Sequence, residues 1–207
     1  MKRCVIVGGA DIGTYPIQRA LLRAEDFVIY CDCGLRHAAA LGRAPDLIVG
    51  DFDSHENPQL PVETIVLPCK KDDTDTVYAV KEAIRRGFDD FLLLGVVGAR
   101  LDHTLGNVSI LLYLQNRGLH GCISDDYSEM EIVGSDPLRI ADDCAFFSLL
   151  NISGTARGIT IRGAKYPLTD GEIPCEYQYG VSNEVLPGGT AEVSVREGRL
   201  LLIRVRR

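Results

Sequence analysis

Short apolar runs alternate with amphipathic segments up to about residue 125 of the chain. Most runs end close to glycine, aspartate or proline, which is typical of strands buried in a parallel sheet. Several segments between them carry apolar residues at helical spacing and end at glycine, as at Gly87 and Gly118. The pattern predicts strands at 3–8, 27–30, 47–49, 64–67, 91–94 and 121–124, and helices at 15–24, 35–41, 74–86 and 102–117.

The pattern changes after about residue 128, where short segments of apolar and polar residues, often alternating, are separated by turn residues. No helical run interrupts them, which favours a small antiparallel fold. The predicted strands are 130–133, 138–140, 145–150, 158–161, 191–195 and 200–205. We therefore predict an α/β protein with two domains. Residues 1–127 form a mostly parallel sheet with helices on both faces, and residues 128–207 form an antiparallel β-sandwich.

Composition limits the class of function. Hydrophobic residues make up 46% and charged residues 25% of the 207 residues, as in ordinary soluble proteins, and no stretch approaches the roughly 18 apolar residues of a membrane helix. The net charge of −7 argues against nucleic acid as a partner, because phosphate backbones need a basic face. Seven scattered cysteines and an N-terminus without a signal-peptide core lead us to expect the cytoplasm.

Acidic residues cluster where four of the predicted strands end. The residues concerned are Asp32, Asp51 with Asp53, the segment 71–75 (Lys-Asp-Asp-Thr-Asp) and the segment 100–103 (Arg-Leu-Asp-His). Because ligands bind where loops leave the carboxyl ends of such strands, one edge of the sheet would gather these carboxylates. Like charges repel unless something neutralises them, and Mg²⁺ suits aspartates together with phosphates. The pattern predicts metal-assisted phosphoryl chemistry, with the neighbouring lysine and arginine side chains holding phosphate oxygens.

Each of these residues also has an ordinary structural explanation. A single aspartate at a strand end is often a helix N-cap or a turn former, which applies to Asp72 and Asp102. For Asp51 and Asp53 this explanation is weaker, because they flank Phe52 and project to the same side if the chain is extended. The glycine loop after the first strand is not G-x-G-x-x-G, and there is no Walker motif. The prediction of phosphoryl chemistry therefore depends on the presence of acidic residues at four strand ends together.

At these residues the chain resembles the thiamine pyrophosphokinase (thiamine diphosphokinase) family over nearly its whole length. Four motifs occur in the family's order: 50–54 (Gly-Asp-Phe-Asp-Ser), 71–75, 98–103 followed by Asn107, and 180–184 (Gly-Val-Ser-Asn-Glu). The resemblance implies that ATP and thiamine give AMP and thiamine diphosphate with Mg²⁺. It also implies a catalytic N-terminal domain, a C-terminal β-sandwich that binds thiamine, and a homodimer with active sites between subunits.

The resemblance assigns roles by motif position. Expected catalytic residues are Asp51, Asp53, Asp75 and Arg100, and the three aspartates are also the expected metal ligands. Expected ATP-binding residues are Asp32, Lys71, Asp72, Thr74, Asp102, His103 and Asn107. Thiamine is expected to contact Ser182 and Asn183, with its pyrimidine in a pocket at the subunit interface. Asp75 is in addition a candidate acceptor for the proton of the thiamine hydroxyl.

The chain departs from the family pattern in two places. Ala99 stands where glycine is frequent, and Val185-Leu186 stand where an aromatic residue is common, in a chain without tryptophan. Tyr177 and Tyr179 are the nearby candidates for stacking on thiamine. Two alternatives remain open: a diphosphokinase for another small alcohol such as a pterin, and a non-catalytic nucleotide sensor. Magnesium-dependent AMP formation separates enzyme from sensor, and a panel of acceptors separates the two enzymes.

Overall fold

The computed structural model describes residues 1–52 and 59–207. The chain folds as two compact units, Met1–Asp126 and Tyr127–Arg207, each of which has its own buried core. In the described part of the chain, no helix has the length and apolar character needed to cross a membrane.

Across its described residues, the first unit is a parallel sheet of six strands. They are β1 (Arg3–Val7), β2 (Phe27–Cys31), β3 (Leu47–Gly50), β4 (Thr64–Val66), β5 (Asp90–Leu94) and β6 (His120–Ser124). Their order is β4-β3-β2-β1-β5-β6, and each neighbouring pair is parallel. The chain places β2, β3 and β4 in succession on one side of β1 and then β5 and β6 on its other side. The direction in which strands are added therefore reverses at β1. In an open α/β sheet, such a switch point is where a ligand crevice forms.

Helices connect most of these strands. They are α1 (Tyr15–Leu21), α2 (Ala38–Leu41), α3 (Asp75–Arg85) and α4 (Leu101–Gln115). Thr74 is the N-cap of α3, and its Oγ1 accepts a hydrogen bond from Val77 N at 3.3 Å. Residues 79, 80 and 83 of α3 are buried, and the helix packs on β1, β2 and β3. The cap and the buried face together fix where the first turn of α3 lies at the edge of the sheet.

The central strands β1 and β5 are apolar after a charged first residue, as expected for strands covered on both faces. Residues 4–7 of β1 are fully buried, and so are most residues of β5. All six predicted strands are present, each within one residue of its predicted bounds. The prediction of a parallel α/β sheet is confirmed.

The helix predicted over residues 35–41 is wrong in its first half. Residues Asp32–His37 form a 3₁₀ turn, and only Ala38–Leu41 is α-helical. The cause is the close approach of the turn to β1, since a Cβ on Gly34 would lie 2.3 Å from Val7 O. The turn therefore packs tightly against the end of β1.

The second unit is antiparallel. Its strands are β7 (Ser128–Val133), β8 (Leu138–Ala141), β9 (Phe146–Arg162), β10 (Leu168–Glu172), β11 (Thr190–Ser194) and β12 (Glu197–Val205). They pair in the order β7-β12-β9-β11-β8, with β10 on β9. Val133, Phe147, Leu149, Ile159 and Leu202 lie in its buried core. The predicted change from α/β to antiparallel β architecture is confirmed.

Two strands predicted at 145–150 and 158–161 are parts of the single 17-residue strand β9. Gly154 and Gly158, at φ +91° and +67°, allow the strand to continue through an irregular middle. β9 can therefore pair with β12 and then with β11 and β10. β10 was not predicted, because its sequence is mostly polar and Asp170 within it has φ +50°.

Candidate active site

A cleft of about 470 Å³ opens at the carboxyl edge of the parallel sheet. Its walls are the loops after β1, β2 and β5 and the first turns of α3 and α4. Predicted site residues that line it are Asp32, Thr74, Asp75, Arg100, His103 and Asn107. The fold thus brings together residues from three separate strand ends at the switch point beside β1.

Glycines bring the loops after β1 and β5 into contact beside the cleft. Gly8 N donates to Leu94 O and Ala10 N donates to Gly95 O, each at 2.8 Å. Gly95 has φ +60°, and a Cβ there would lie 2.6 Å from Gly8 O. Since no larger residue fits this approach, the glycines set the shape of the cleft.

Lys71 joins two of the aspartates predicted to bind metal. Its ammonium donates a hydrogen bond to Asp51 Oδ2 and lies 3.1 Å from Asp75 Oδ1. The three side chains are only 12–20% exposed. Burial lowers the pKa of Lys71, but the two carboxylates outweigh burial and raise this pKa above its ordinary value. Lys71 is therefore a charged bridge between the end of β3 and the start of α3.

Two buried carboxylate oxygens at this edge, Asp32 Oδ1 and Asp75 Oδ1, have no hydrogen-bond partner among the described residues. The contact of Asp75 with Lys71 is an ion pair without hydrogen-bond geometry. Burial raises the pKa of Asp75, and the charges of Asp51 and Asp32 add to this effect while Lys71 opposes it. Such oxygens fit Mg²⁺, which binds through one or two carboxylates together with waters and phosphate oxygens.

The predicted metal ligand Asp53 lies outside the described residues. Within residues 1–52 and 59–207, no three His, Cys, Asp or Glu side chains are arranged to hold a metal by themselves. The fit to Mg²⁺ thus depends on Asp32 Oδ1, which has no hydrogen-bond partner among the described residues, and on Asp75 Oδ1, which is paired with Lys71, with Asp51 beside them.

The backbone is left-handed at two non-glycine residues that follow strands of the sheet, Asp32 (φ 42°) after β2 and Phe52 (φ 54°) after β3; Asp32 lines the cleft. The expectation of an extended chain through Phe52 is therefore wrong, because a positive φ turns the chain at this residue. Gly50 packs closely against Asp32, since a Cβ on Gly50 would lie 3.1 Å from Asp32 Cα. Such conformations cost about 1–3 kcal/mol each and concentrate at functional sites.

The start of α4 presents a basic residue to the cleft. Arg100 lines the cleft, and its Nη2 donates to Asp102 Oδ2 at 2.6 Å. This hydrogen bond is the main cause that lowers the pKa of Asp102 to about 2, so the pair is ionised at neutral pH. His103 is exposed at the cleft, whereas Asn107 is buried and donates to Val96 O at 2.8 Å. Asn107 therefore holds the loop after β5.

The loop before α3 divides its acidic residues between the cleft and solvent. Asp72 is exposed, and Asp73 forms an ion pair with Lys81 at 2.6 Å. Thr74 lines the cleft while it caps α3. Asp75 is therefore the acidic residue of this loop that contributes to the cleft wall.

Sequence reasoning missed three further residues of the cleft wall: Asp11, Cys33 and Arg36. Arg36 Nη2 donates to Gly9 O at 2.8 Å and to Asp11 Oδ1 at 2.6 Å. The signal in the sequence was their position, because Cys33 and Arg36 follow Asp32 directly and Asp11 follows the glycines after β1.

The residues predicted to bind thiamine lie in the second unit. Ser182 is exposed, has φ +59°, and donates its backbone N–H to Ser148 Oγ at 3.0 Å. Asn183 is buried. Its Oδ1 accepts from Tyr166 N at 3.0 Å and Glu184 N at 2.9 Å, and its Nδ2 donates to Tyr166 O at 2.8 Å. The side chain of Asn183 therefore shapes the loop that presents Ser182.

Tyr177 and Tyr179 form an exposed aromatic pair in the same unit. Their ring centroids are 5.7 Å apart, and the residues are 68% and 45% exposed. The two rings are not part of the buried core, so they are free to stack on a ligand.

Both halves of the chain match known protein families. Residues 18–123 match the thiamin pyrophosphokinase catalytic domain, and residues 138–200 match the thiamin pyrophosphokinase vitamin B1 binding domain. The chain belongs to the thiamin pyrophosphokinase family. The motifs at 71–75 and 98–103 fall within the first match and the motif at 180–184 within the second, so the resemblance read from the sequence is confirmed.

Relatives of this thiamin pyrophosphokinase family member match it from end to end. The thiamine pyrophosphokinase of Bacillus subtilis (strain 168) is 26% identical over 213 residues, which cover 99% of each chain. A crystal structure of the Bacillus subtilis protein gives a TM-score of 0.88 at 25% identity and covers both chains fully. The Geobacillus thermodenitrificans protein gives 0.86 at 27% identity, covering 99% of this chain and 98% of the other.

Proposed function

We propose that this thiamin pyrophosphokinase family member transfers the diphosphoryl group of ATP to the hydroxyethyl oxygen of thiamine, giving AMP and thiamine diphosphate. The observation that carries the proposal is the cluster of Asp32, Asp51, Lys71 and Asp75 beside a cleft at the sheet switch point. Family matches to a catalytic domain and to a vitamin B1 binding domain support both substrates.

ATP is the substrate of the first unit in this proposal. A cleft of about 470 Å³ lies within the usual range for small-molecule sites. Arg36 and Arg100 line it, and its glycines let a ligand approach the backbone closely. The guanidinium groups suit phosphate oxygens because they donate in a planar fork.

Mg²⁺ is the proposed cofactor. Asp32, Asp51 and Asp75 would contribute oxygen ligands to it together with waters and the phosphate oxygens of ATP, and Asp53 remains a prediction for the same role. When bound, the ion neutralises and polarises phosphate oxygens. The buried Oδ1 of Asp32, which has no hydrogen-bond partner among the described residues, supports this assignment.

The transfer itself is an in-line displacement. The thiamine hydroxyl oxygen forms a bond to the β-phosphorus, the bond from this phosphorus to the bridging oxygen of AMP breaks, and the hydroxyl proton leaves. Lys71 and Arg100 stabilise negative charge on the phosphate groups. Asp75 is our candidate for the proton acceptor, because burial raises its pKa and thereby makes it a stronger base.

Stacking on the thiamine rings requires an aromatic surface that the described wall of the first unit's cleft does not provide. Among the described residues, no Phe, Tyr or Trp lines that cleft. The second unit exposes Tyr177 and Tyr179 and the loop of Ser182. We therefore propose that the second unit supplies the thiamine contacts, in a homodimer whose active sites lie between subunits.

The cytoplasm is the proposed location. All seven cysteines are free thiols, as in proteins of reducing compartments.

The test is an assay of the purified protein with ATP, Mg²⁺ and thiamine that quantifies AMP and thiamine diphosphate. Equal amounts of both products, abolished by a chelator, are expected. AMP formation that depends on another alcohol in place of thiamine would contradict the acceptor assignment. ATP binding without any AMP formation would contradict the enzyme assignment.

A further inference from the structure

The loop after β1 is held by two consecutive residues of the 3₁₀ turn after β2. Arg36 Nη2 donates to Gly9 O at 2.8 Å, and His37 Nε2 lies 2.9 Å from Ala10 O. His37 is only 2% exposed, and its Nδ1 lies 2.7 Å from the hydroxyl of Tyr15. The imidazole therefore spans the space between α1 and this loop from a buried position.

The partners of His37 fix its protonation. A carbonyl oxygen only accepts, so Nε2 carries the proton donated to Ala10 O, and Nδ1 accepts from Tyr15. Burial lowers the pKa of His37; Arg36 acts in the same direction and the Ala10 carbonyl opposes it, so the ring is neutral. Arg36 Nε lies 3.4 Å from Nε2, which has no lone pair left to accept, so this approach is a contact only.

A peptide unit is planar, so the hydrogen bond that fixes the Ala10 carbonyl also fixes the direction of the Asp11 N–H. The peptide bonds of the described chain are trans, so the Asp11 N–H points away from the Ala10 oxygen and therefore away from His37. The preceding peptide shows the same arrangement, with Gly9 O held by Arg36 and Ala10 N–H bonded to Gly95 O on the other side. Asp11 lines the cleft, and its N–H has no hydrogen-bond partner among the described residues.

We propose that His37 is a positioning residue for the nucleotide: it holds Ala10 O and so directs the Asp11 N–H to a phosphate group of ATP. Backbone N–H groups in glycine-containing loops are common anion donors. The carboxylate of Asp11 does not oppose this role, since Arg36 pairs with it at 2.6 Å. The inference rests on the proposed function for the identity of the nucleotide.

Two substitutions that each place an amide near one ring nitrogen separate the two hydrogen bonds of His37. His37→Gln places an amide nitrogen near the position of Nε2 and keeps the donor to Ala10 O. His37→Asn keeps a polar atom near Nδ1 for Tyr15 and loses that donor. We expect His37→Asn to weaken binding of Mg²⁺-ATP about five- to tenfold, as for the loss of one hydrogen bond, and His37→Gln, which loses only the bond to Tyr15, to weaken it no more than about threefold.

Binding is measured by calorimetry without thiamine, so the result does not depend on turnover. In the complete assay, the KM for thiamine is expected to stay the same in both variants. Equal weakening of ATP binding by His37→Asn and His37→Gln would overturn the proposal, and so would unchanged binding in His37→Asn. Parent protein that binds ATP but yields no thiamine diphosphate would overturn the proposed function alone.

A matched control distinguishes positioning from general stability. Tyr30→Phe removes another buried hydroxyl, which donates to Arg43 O at 2.8 Å in the same unit. We expect it to lower the melting temperature without weakening ATP binding. Tyr15→Phe, which removes the partner of Nδ1, serves if His37→Asn fails to fold, and a two- to threefold loss of ATP affinity (about 0.5 kcal/mol) is expected. Tyr15→Phe that behaves like Tyr30→Phe would contradict the inference.

Discussion

The ammonium group of Lys71 lies 3.1 Å from Oδ1 of Asp75 and also donates a hydrogen bond to Asp51. The two carboxylates come from different elements of the sheet edge, and the lysine supplies the positive charge between them. Without such a charge, the partly buried carboxylates would repel one another. A divalent ion that binds these carboxylates therefore shares them with Lys71.

Lys71→Met should make the stability of the protein more dependent on Mg²⁺. In chelator, the variant is expected to melt at a lower temperature than the parent protein, because Asp51 and Asp75 lose the positive charge of Lys71 between them. Added Mg²⁺ should raise its melting temperature by more than that of the parent. Lys81→Met is the control, since Lys81 pairs with Asp73 near the surface. An equal response of all three proteins to Mg²⁺ would show that Lys71 and the ion do not share a site.

Asp75→Asn should reduce kcat at least about a hundredfold, because Asp75 is both a proposed metal ligand and the candidate base. The Mg²⁺ concentration for half-maximal activity should rise as well. Asp73→Asn is the matched control two positions away, with activity expected within about twofold of the parent. Near-normal turnover of Asp75→Asn with normal magnesium dependence would refute both roles.

The strand ends were predictable from sequence because glycine, aspartate or proline follows most of the apolar runs, and parallel topology then places those ends together. The 3₁₀ turn at Asp32–His37 could not be predicted from the sequence. It depends on how closely Gly34 approaches Val7 O, and these two residues are distant in sequence. The positive φ of Phe52 was missed for a related reason, since nothing in the residue type indicates it.

The site was predictable where its residues carry charge in motifs, as for Lys71 and Asp75. Arg36 and His37 were missed because their partners are backbone carbonyls of the loop after β1, and sequence patterns do not show such bonds. The engagement of Asn183 with the backbone of its own loop was missed for the same reason.

Arg100→Gln should reduce kcat/KM for ATP about a hundredfold, as expected when a cation that stabilises phosphate charge is removed. The melting temperature should hardly change, because the ion pair with Asp102 is largely exposed. Arg117→Gln, at the other end of α4, is the control and should leave both quantities near the parent values. Loss of stability in Arg100→Gln that matches its loss of activity would contradict a direct role.

Glu82→Gln should lower the free energy of unfolding at neutral pH, and this effect should disappear as the pH falls towards 2. Hydrogen bonds from Arg85, together with those from Arg86, lower the pKa of Glu82 from 4.5 to about 2. A lowered carboxyl pKa stabilises the fold above pH 4.5, and this contribution is lost as the pH falls towards 2. We expect a difference of about 1–2 kcal/mol in the free energy of unfolding at pH 7.

Denaturant unfolding at several pH values measures this difference. Glu25→Gln, at an exposed position, is the control and should change stability little at any pH. A Glu82→Gln difference that stayed constant from pH 7 to pH 2 would show that the carboxylate charge is not its cause.

The most direct test of diphosphoryl transfer uses ATP labelled at the β-phosphorus, with Mg²⁺ and thiamine. Diphosphoryl transfer predicts that the label appears in thiamine diphosphate while the AMP formed is unlabelled. Label in ADP, with thiamine monophosphate as the other product, would show transfer of a single phosphoryl group and would contradict it.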